Sequence, residues 1–229
     1  MRLGDYMRKN ICEPLGMKLT TFQPSQHLAV HNALIGMTLK TPAGELIPTD
    51  PVWKPDLKVD TGGAGMYNTP NEYIKILIAL LKNDGVLLSP EAVDIMFQPH
   101  LEDDKYLSEM VKQLFGMLFT NGVTECQKWN FGLGGILAME DGPGIVHKGV
   151  MSWGGHPNLI WWIDPTGGHC GLYASQLIPP RMQSRLNWPG HLGRHCGMKN
   201  STIWLLDLCH WVAITSRSKT NLPSINVCY

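Results

Sequence analysis

Within the 229 residues of this chain, Trp153-Gly154-Gly155-His156 is the group best suited to chemistry. Glycine lets a main chain approach a ligand closely, so an amide beside the pair, such as that of His156, can donate to a carbonyl oxygen as half of an oxyanion hole. Taken alone, the same residues also read as a glycine-rich hairpin turn carrying a packed tryptophan. His147-Lys148-Gly149 is the second choice, with His147 and Gly149 in the corresponding places. Residues 149–154 hold one residue too many for a Gly-x-Ser-x-Gly elbow around Ser152, and they lie between strands instead of between strand and helix. His191, His195 and Cys196, with Cys209 and His210, are zinc-ligating types. Their spacing fits no standard finger, and His27 with His31 reads equally as a solvated pair, so neither a metal nor another cofactor is expected.

The elements that must position the glycines follow from turn chemistry. Three antiparallel strands are expected at 145–153, 158–164 and 170–177, separated by Trp153-Gly154-Gly155-His156-Pro157 and Asp164-Pro165-Thr166-Gly167-Gly168. The middle strand, Leu159-Ile160-Trp161-Trp162-Ile163, is almost wholly apolar, which predicts helices over the sheet. Thr69-Pro70-Asn71-Glu72 has the form of a capping box with proline at the first helical position, so a helix is expected over 70–82. Ser89-Pro90-Glu91 opens a shorter helix to Phe97, and the apolar spacing of 104–115 predicts a third. A short amphipathic helix is expected at 3–12. Residues 17–65 hold prolines too closely spaced for long elements and read as a surface excursion with one hairpin about Pro42-Ala43-Gly44-Glu45, either disordered or part of a binding mouth. Residues 131–139 read as one glycine-rich strand.

Composition bounds the function classes. The 44% hydrophobic content is that of a globular protein. A formal net charge of zero, with no basic face, argues against nucleic acid and anionic membrane surfaces and for a small-molecule or protein partner. No apolar run is long enough to span a membrane and the N-terminus lacks a signal-peptide core, so a cytoplasmic protein with six free thiols is expected. From Arg181 onward the composition changes: three tryptophans, three cysteines and isolated prolines surround one apolar run at 203–214, which reads as strand or helix. Residues 181–229 are therefore expected to be a weakly packed tail.

Four separated motifs, in order, carry a resemblance. Glu13-Pro14-Leu15-Gly16-Met17 with Thr20-Thr21-Phe22, then Gly62-Gly63-Ala64-Gly65-Met66-Tyr67-Asn68-Thr69, then Phe131-Gly132-Leu133-Gly134, and lastly Trp153-Gly154-Gly155 with Trp162-Ile163-Asp164-Pro165 resemble the β-lactamase-related serine hydrolases. Within these the chain is similar to class-C-like esterases and fungal polyketide transesterases. The resemblance covers residues 1–180 and implies an α+β, β-lactamase/transpeptidase-like fold, present here as its C-terminal portion. It also implies serine-dependent ester hydrolysis or acyl transfer on a small-molecule ester or acyl substrate, with Trp153-Gly154-Gly155 as the oxyanion wall.

That chemistry needs a Ser-x-x-Lys nucleophile pair and a Tyr-x-Asn motif. Neither is found in the family's place. Ser216-Arg217-Ser218-Lys219 fits the first pattern by chance, after the sheet instead of before it, and no tyrosine has asparagine two residues on. The resemblance therefore implies an inactive fragment, or alternatively a non-catalytic binding or regulatory remnant of the fold. Without upstream strands, self-association through an exposed sheet edge is a further expectation.

Overall fold

The computed structural model describes residues 1–113, 116–120, 128–142, 147–179 and 210–215, the last group by its backbone. In chain order the helices are α1 (Leu3–Met7, continued by a π-helical turn Arg8–Cys12), α2 (Leu28–His31), α3 (Pro70–Lys82), α4 (Pro90–Met96), α5 (Lys105–Met110) and α6 (Gly116–Phe119). The strands are β1 (Met37–Lys40), β2 (Leu46–Thr49), β3 (Trp129–Phe131), β4 (Ile136–Ala138), β5 (Met151–Gly155), β6 (Leu159–Asp164), β7 (His169–Ala174), β8 (Leu177–Ile178) and β9 (His210–Thr215). They form a six-stranded sheet in the order β3-β4-β5-β6-β7-β9 and a three-stranded sheet β2-β1-β8. Every pairing in the larger sheet is antiparallel. The α+β class expected from the sequence is what is found.

β6 organises the core. Its run of apolar residues is covered on both faces: Ile163 joins Ile74, Leu77 and Ile78 of α3 with Cys170 and Leu172 of β7. Trp162 joins Leu107, Val111, Trp129, Ile136, Ala138 and Val150 on the other face. Each fully buried side chain of this size contributes about 1.5–3 kcal/mol. Opposite Trp162 stands Gly171, and a Cβ there would lie 1.8 Å from the indole ring, so only glycine leaves room for that tryptophan.

α3 has the expected bounds, but its cap differs. Thr69 offers no side-chain hydrogen bond to the helix. Glu72 turns away from it and accepts instead from the Leu19 amide at 2.9 Å and the Thr20 hydroxyl at 3.2 Å. A buried carboxylate takes the strongest donors within reach, and here tertiary structure supplies them. Ser89 does cap α4, accepting from the Ala92 amide at 3.3 Å. The hairpin about residues 42–45 forms, with β1 against β2.

Other boundaries move. Of the strand expected at 145–153, residues 145–146 lie outside the described residues, residues 148–149 turn, with Gly149 at φ +91°, and β5 begins at Met151. Trp153-Gly154-Gly155 is strand, paired with Trp161, Ile160 and Leu159, and the turn is His156-Pro157-Asn158. Asn158 takes the left-handed conformation, φ +61°, that closes it. Residues 131–139 are a hairpin instead of one strand: β3 and β4 flank a glycine turn in which a Cβ on Gly132 would meet Met96 O at 2.4 Å. The helix expected over 104–115 stops at Met110. On the helix expected over 3–12 the apolar side is Leu3, Tyr6, Met7 and Ile11, of which Leu3 and Tyr6 are exposed and Met7 and Ile11 half-buried. Within the tail, the run that reads as strand or helix contributes β9, paired with β7 over six residues. Residues 181–209 and 216–229 lie outside the described residues.

Candidate active site

Consecutive residues of an antiparallel strand turn their N–H and C=O groups to alternate sides. The Ala138 amide bonds Val150 O at 2.9 Å, so Val150, Ser152 and Gly154 face β4, while Met151, Trp153 and Gly155 face β6. The pairing of β4 ends at Ile136 opposite Ser152. Gly154 therefore turns its backbone groups past the end of β4, where none of the described residues stands as a ladder partner. Gly154 is buried, Gly155 half-buried and His156 exposed. The accessible part of the wall is thus Gly155–His156, at the tip of the β5–β6 hairpin.

Trp153 is held by aromatic contacts. Its ring stacks on Phe119 with centroids 4.1 Å apart and planes inclined by 17°, and it meets Phe131 at 5.7 Å. Ser152, 1% exposed, donates to Phe119 O at 2.6 Å and so fastens α6 alongside β5. That bond makes Ser152 a structural residue. α6 is one turn long and has no periodic signal along the chain, so Phe119 is a neighbour of the expected site that the sequence does not disclose; Phe131 stands in one of the four motifs without being read as a site residue.

The excursion reaches the same end of the sheet. Ser175 Oγ donates towards Pro157 O and Asn158 O at 3.3 and 3.4 Å, and the next residue, Gln176, accepts the Thr38 amide at 2.8 Å. β8 then pairs in parallel with β1. The hairpin of residues 37–49 is by this route joined to the chain beside the β5–β6 tip. Asn158, 5% exposed, has its side-chain oxygen buried there without a hydrogen-bond partner among the described residues.

His147 and Gly149 stand elsewhere. His147 Nδ1 lies 2.6 Å from Asp164 Oδ2, at the opposite end of β6 from Leu159. Five residues of strand separate the two ends by about 16 Å, so His147 and His156 do not share a site. Asp164 is completely buried; its carboxylate also accepts the Gly167 amide at 2.7 Å and lies 3.5 Å from His169 Nδ1.

Among the described residues no serine hydroxyl is hydrogen-bonded to a lysine or histidine: Ser25 pairs with Asp56, and Ser152 and Ser175 with main-chain carbonyls. Ser216 lies outside the described residues, as do the cysteines and histidines considered for zinc, the backbone of His210 excepted. Burial pushes the Cys170 thiol up to about 12 and the Tyr73 phenol likewise to about 12, so neither ionises readily. Cys12 and Cys170 are free thiols. No described helix is long and apolar enough to cross a membrane.

Comparison with known proteins places these elements in context. The family model Beta-lactamase matches residues 1–191. A Monacolin J acid methylbutanoyltransferase of Aspergillus terreus is 37% identical over 183 residues, covering 77% of this chain and 44% of the relative. A Lovastatin esterase of Penicillium rubens is 33% identical over 192 residues, covering 78% of this chain and 46% of the relative. A solved mutant of Simvastatin Synthase from Aspergillus terreus superposes with a TM-score of 0.74 at 37% identity, covering 80% of this chain and 46% of that one. The chain thus spans less than half the length of the relatives it matches.

Proposed function

Because this chain belongs to the β-lactamase family, we propose that it supplies the sheet wall of a serine-dependent acyl-transfer or ester-hydrolysis site for small-molecule acyl substrates. In this reading Trp153, Gly154, Gly155 and His156 form the oxyanion side of the cleft, and the nucleophile and its base come from a segment bearing Ser-x-x-Lys and Tyr-x-Asn. The observation that carries it is the position of the glycines: they lie at the tip of β5, past the last pairing of β4, beside the aromatic cluster of Trp153, Phe119 and Phe131. Acyl transfer is favoured alongside hydrolysis because transferases and an esterase both stand among the relatives. With Cys12 and Cys170 unpaired, the cytoplasm is the compartment this reading assigns.

Removing the nucleophile from such an enzyme costs on the order of 10⁶-fold in rate, as in the serine protease precedent. The chain alone is therefore expected to leave p-nitrophenyl esters unhydrolysed and to gain no mass from a serine-directed phosphonate. Joined to an upstream segment carrying the two missing motifs, it should hydrolyse or transfer acyl groups. A phosphonate adduct on any serine of the unextended chain would overturn the assignment. Failure of the joined protein to turn over any ester or thioester, although folded, would favour a non-catalytic remnant that binds the same ligands.

A further inference from the structure

β3 and β4 are joined by Gly132-Leu133-Gly134-Gly135, so Leu133 is the one side chain their turn carries. The last pair between β4 and β5 is Ile136 with Ser152. Continued in register, Gly135 stands level with Trp153 and Gly134 level with Gly154, which brings the turn alongside the glycines of the wall. Close contacts hold it there. A Cβ on Gly135 would lie 2.6 Å from Ser152 O, and one on Gly134 3.8 Å from Met151 Sδ. From the side of α4, Met96 O accepts the Leu133 amide at 3.0 Å, and the Gly132 amide closes the turn on Gly135 O at 2.9 Å.

A leucine exposed on a free loop is ordinary. Leu133 is 48% exposed on a turn that is fixed to both its neighbours. Gly132 and Gly135 cannot take a side chain without displacing the carbonyls of Met96 and Ser152. The result is a rigid mount that holds a single apolar side chain at the sheet end where Gly155 and His156 are accessible. At the foot of the turn Phe131 meets the Trp153 ring at 5.7 Å, so the apolar surface continues from the turn into the aromatic cluster.

We infer that Leu133 is a specificity-determining residue of this cleft: it contacts the apolar part of the acyl group and limits that group to a few carbons. The inference rests on the reading of Gly155–His156 as the oxyanion side. An ester whose carbonyl oxygen accepts from that wall has Leu133 on the neighbouring hairpin. A butanoyl chain covers the exposed leucine, whereas an octanoyl chain runs into a turn that its contacts with Met96 and Ser152 keep from yielding.

Ethyl butanoate titrated into the chain alone should shift the NMR signals of the Leu133 methyls and the His156 amide together. L133A should weaken that binding about fourfold or more, the worth of one buried methylene. V86A, which trims a side chain of like exposure between α3 and α4, should leave it unaltered. In the protein joined to a Ser-x-x-Lys segment, L133A should raise the octanoate-to-butanoate ratio of kcat/KM for p-nitrophenyl esters about tenfold. L133W should lower butanoate relative to acetate. Equal affinity of L133A and the unsubstituted chain for ethyl butanoate, or no shift at Leu133, would overturn the inference. A joined protein whose chain-length preference ignores L133A overturns it too, yet leaves the proposed function standing. If the joined protein is inactive while the chain binds ethyl butanoate through Leu133 and His156, the contact stands and the catalytic reading falls.

Discussion

The two ends of β6 differ in how far their acidic and backbone groups are occupied. At the Asp164 end one fully buried carboxylate collects His147 and the Gly167 amide, so its oxygens are occupied from within, while the buried Nδ1 of the neighbouring His169 has no hydrogen-bond partner among the described residues. At the Leu159 end, Gly154 turns past its neighbour strand, Asn158 has a buried oxygen with no partner among the described residues, and His156 reaches solvent. Buried polar groups that satisfy each other hold a fold together; groups left unsatisfied at a surface are where a ligand can add bonds. Two histidines, one preceding and one following glycine, thus acquire different meanings from their surroundings.

Substitution should separate the ends by size of effect. Asp164→Ala strands the His147 ring and the Gly167 amide and is expected to cost about 3 kcal/mol in a denaturant titration, as for breaking a buried charged cluster. A loss below about 1 kcal/mol would break the contrast by showing that the closed end is not structural. A second closed cluster, around Glu72, sharpens it through pH. Burial raises that carboxyl, but the Lys18 and Leu19 amides, Lys75 and the Thr20 hydroxyl outweigh burial and hold it below its ordinary 4.5. A depressed carboxyl stabilises the folded state above its unfolded value and loses that contribution as pH falls through the folded one. The stability gap between the unsubstituted chain and Glu72→Gln should therefore be constant near neutrality, at about 1 kcal/mol, and shrink below pH 4.5. A gap independent of pH down to acid unfolding would exclude this role. At the open end His156→Ala should change stability by less than about 0.5 kcal/mol, as exposed positions do. A larger loss would mean that the tip is scaffold and not wall.

The sequence disclosed the parts whose causes are local. Pro70 and Ser89 mark helix starts because proline and a serine cap act within one turn, and the 42–45 hairpin follows from its own residues. Glycines misled where they were read as turns: Gly154 and Gly155 pair in β5, and the left-handed Asn158 closes the hairpin instead. At residues 132–135 glycine does turn, for a reason no local pattern contains, the approach to Met96 O. The Glu72 contacts span 52 and 53 residues and the His147–Asp164 pair spans 17, so neither had a signature along the chain. Two of the motifs that carried the family resemblance proved to brace each other: Thr21 and Tyr67 exchange backbone hydrogen bonds at 2.9 and 2.8 Å. They identify the scaffold more than the site.

Trp162 lying over Gly171 ties two positions into one unit of change. No residue with a Cβ fits at 171 while the indole remains, and a smaller residue at 162 alone opens a void in a core shared with Leu107 and Val111. Each single substitution, Gly171→Ala or Trp162→Leu, should therefore destabilise by more than its share of the pair, with the double variant recovering part of the loss. Across descendants of this sequence, a route from tryptophan to a smaller residue at 162 has to open before 171 is free to change. The order of those two events is set by the geometry of one cross-strand contact.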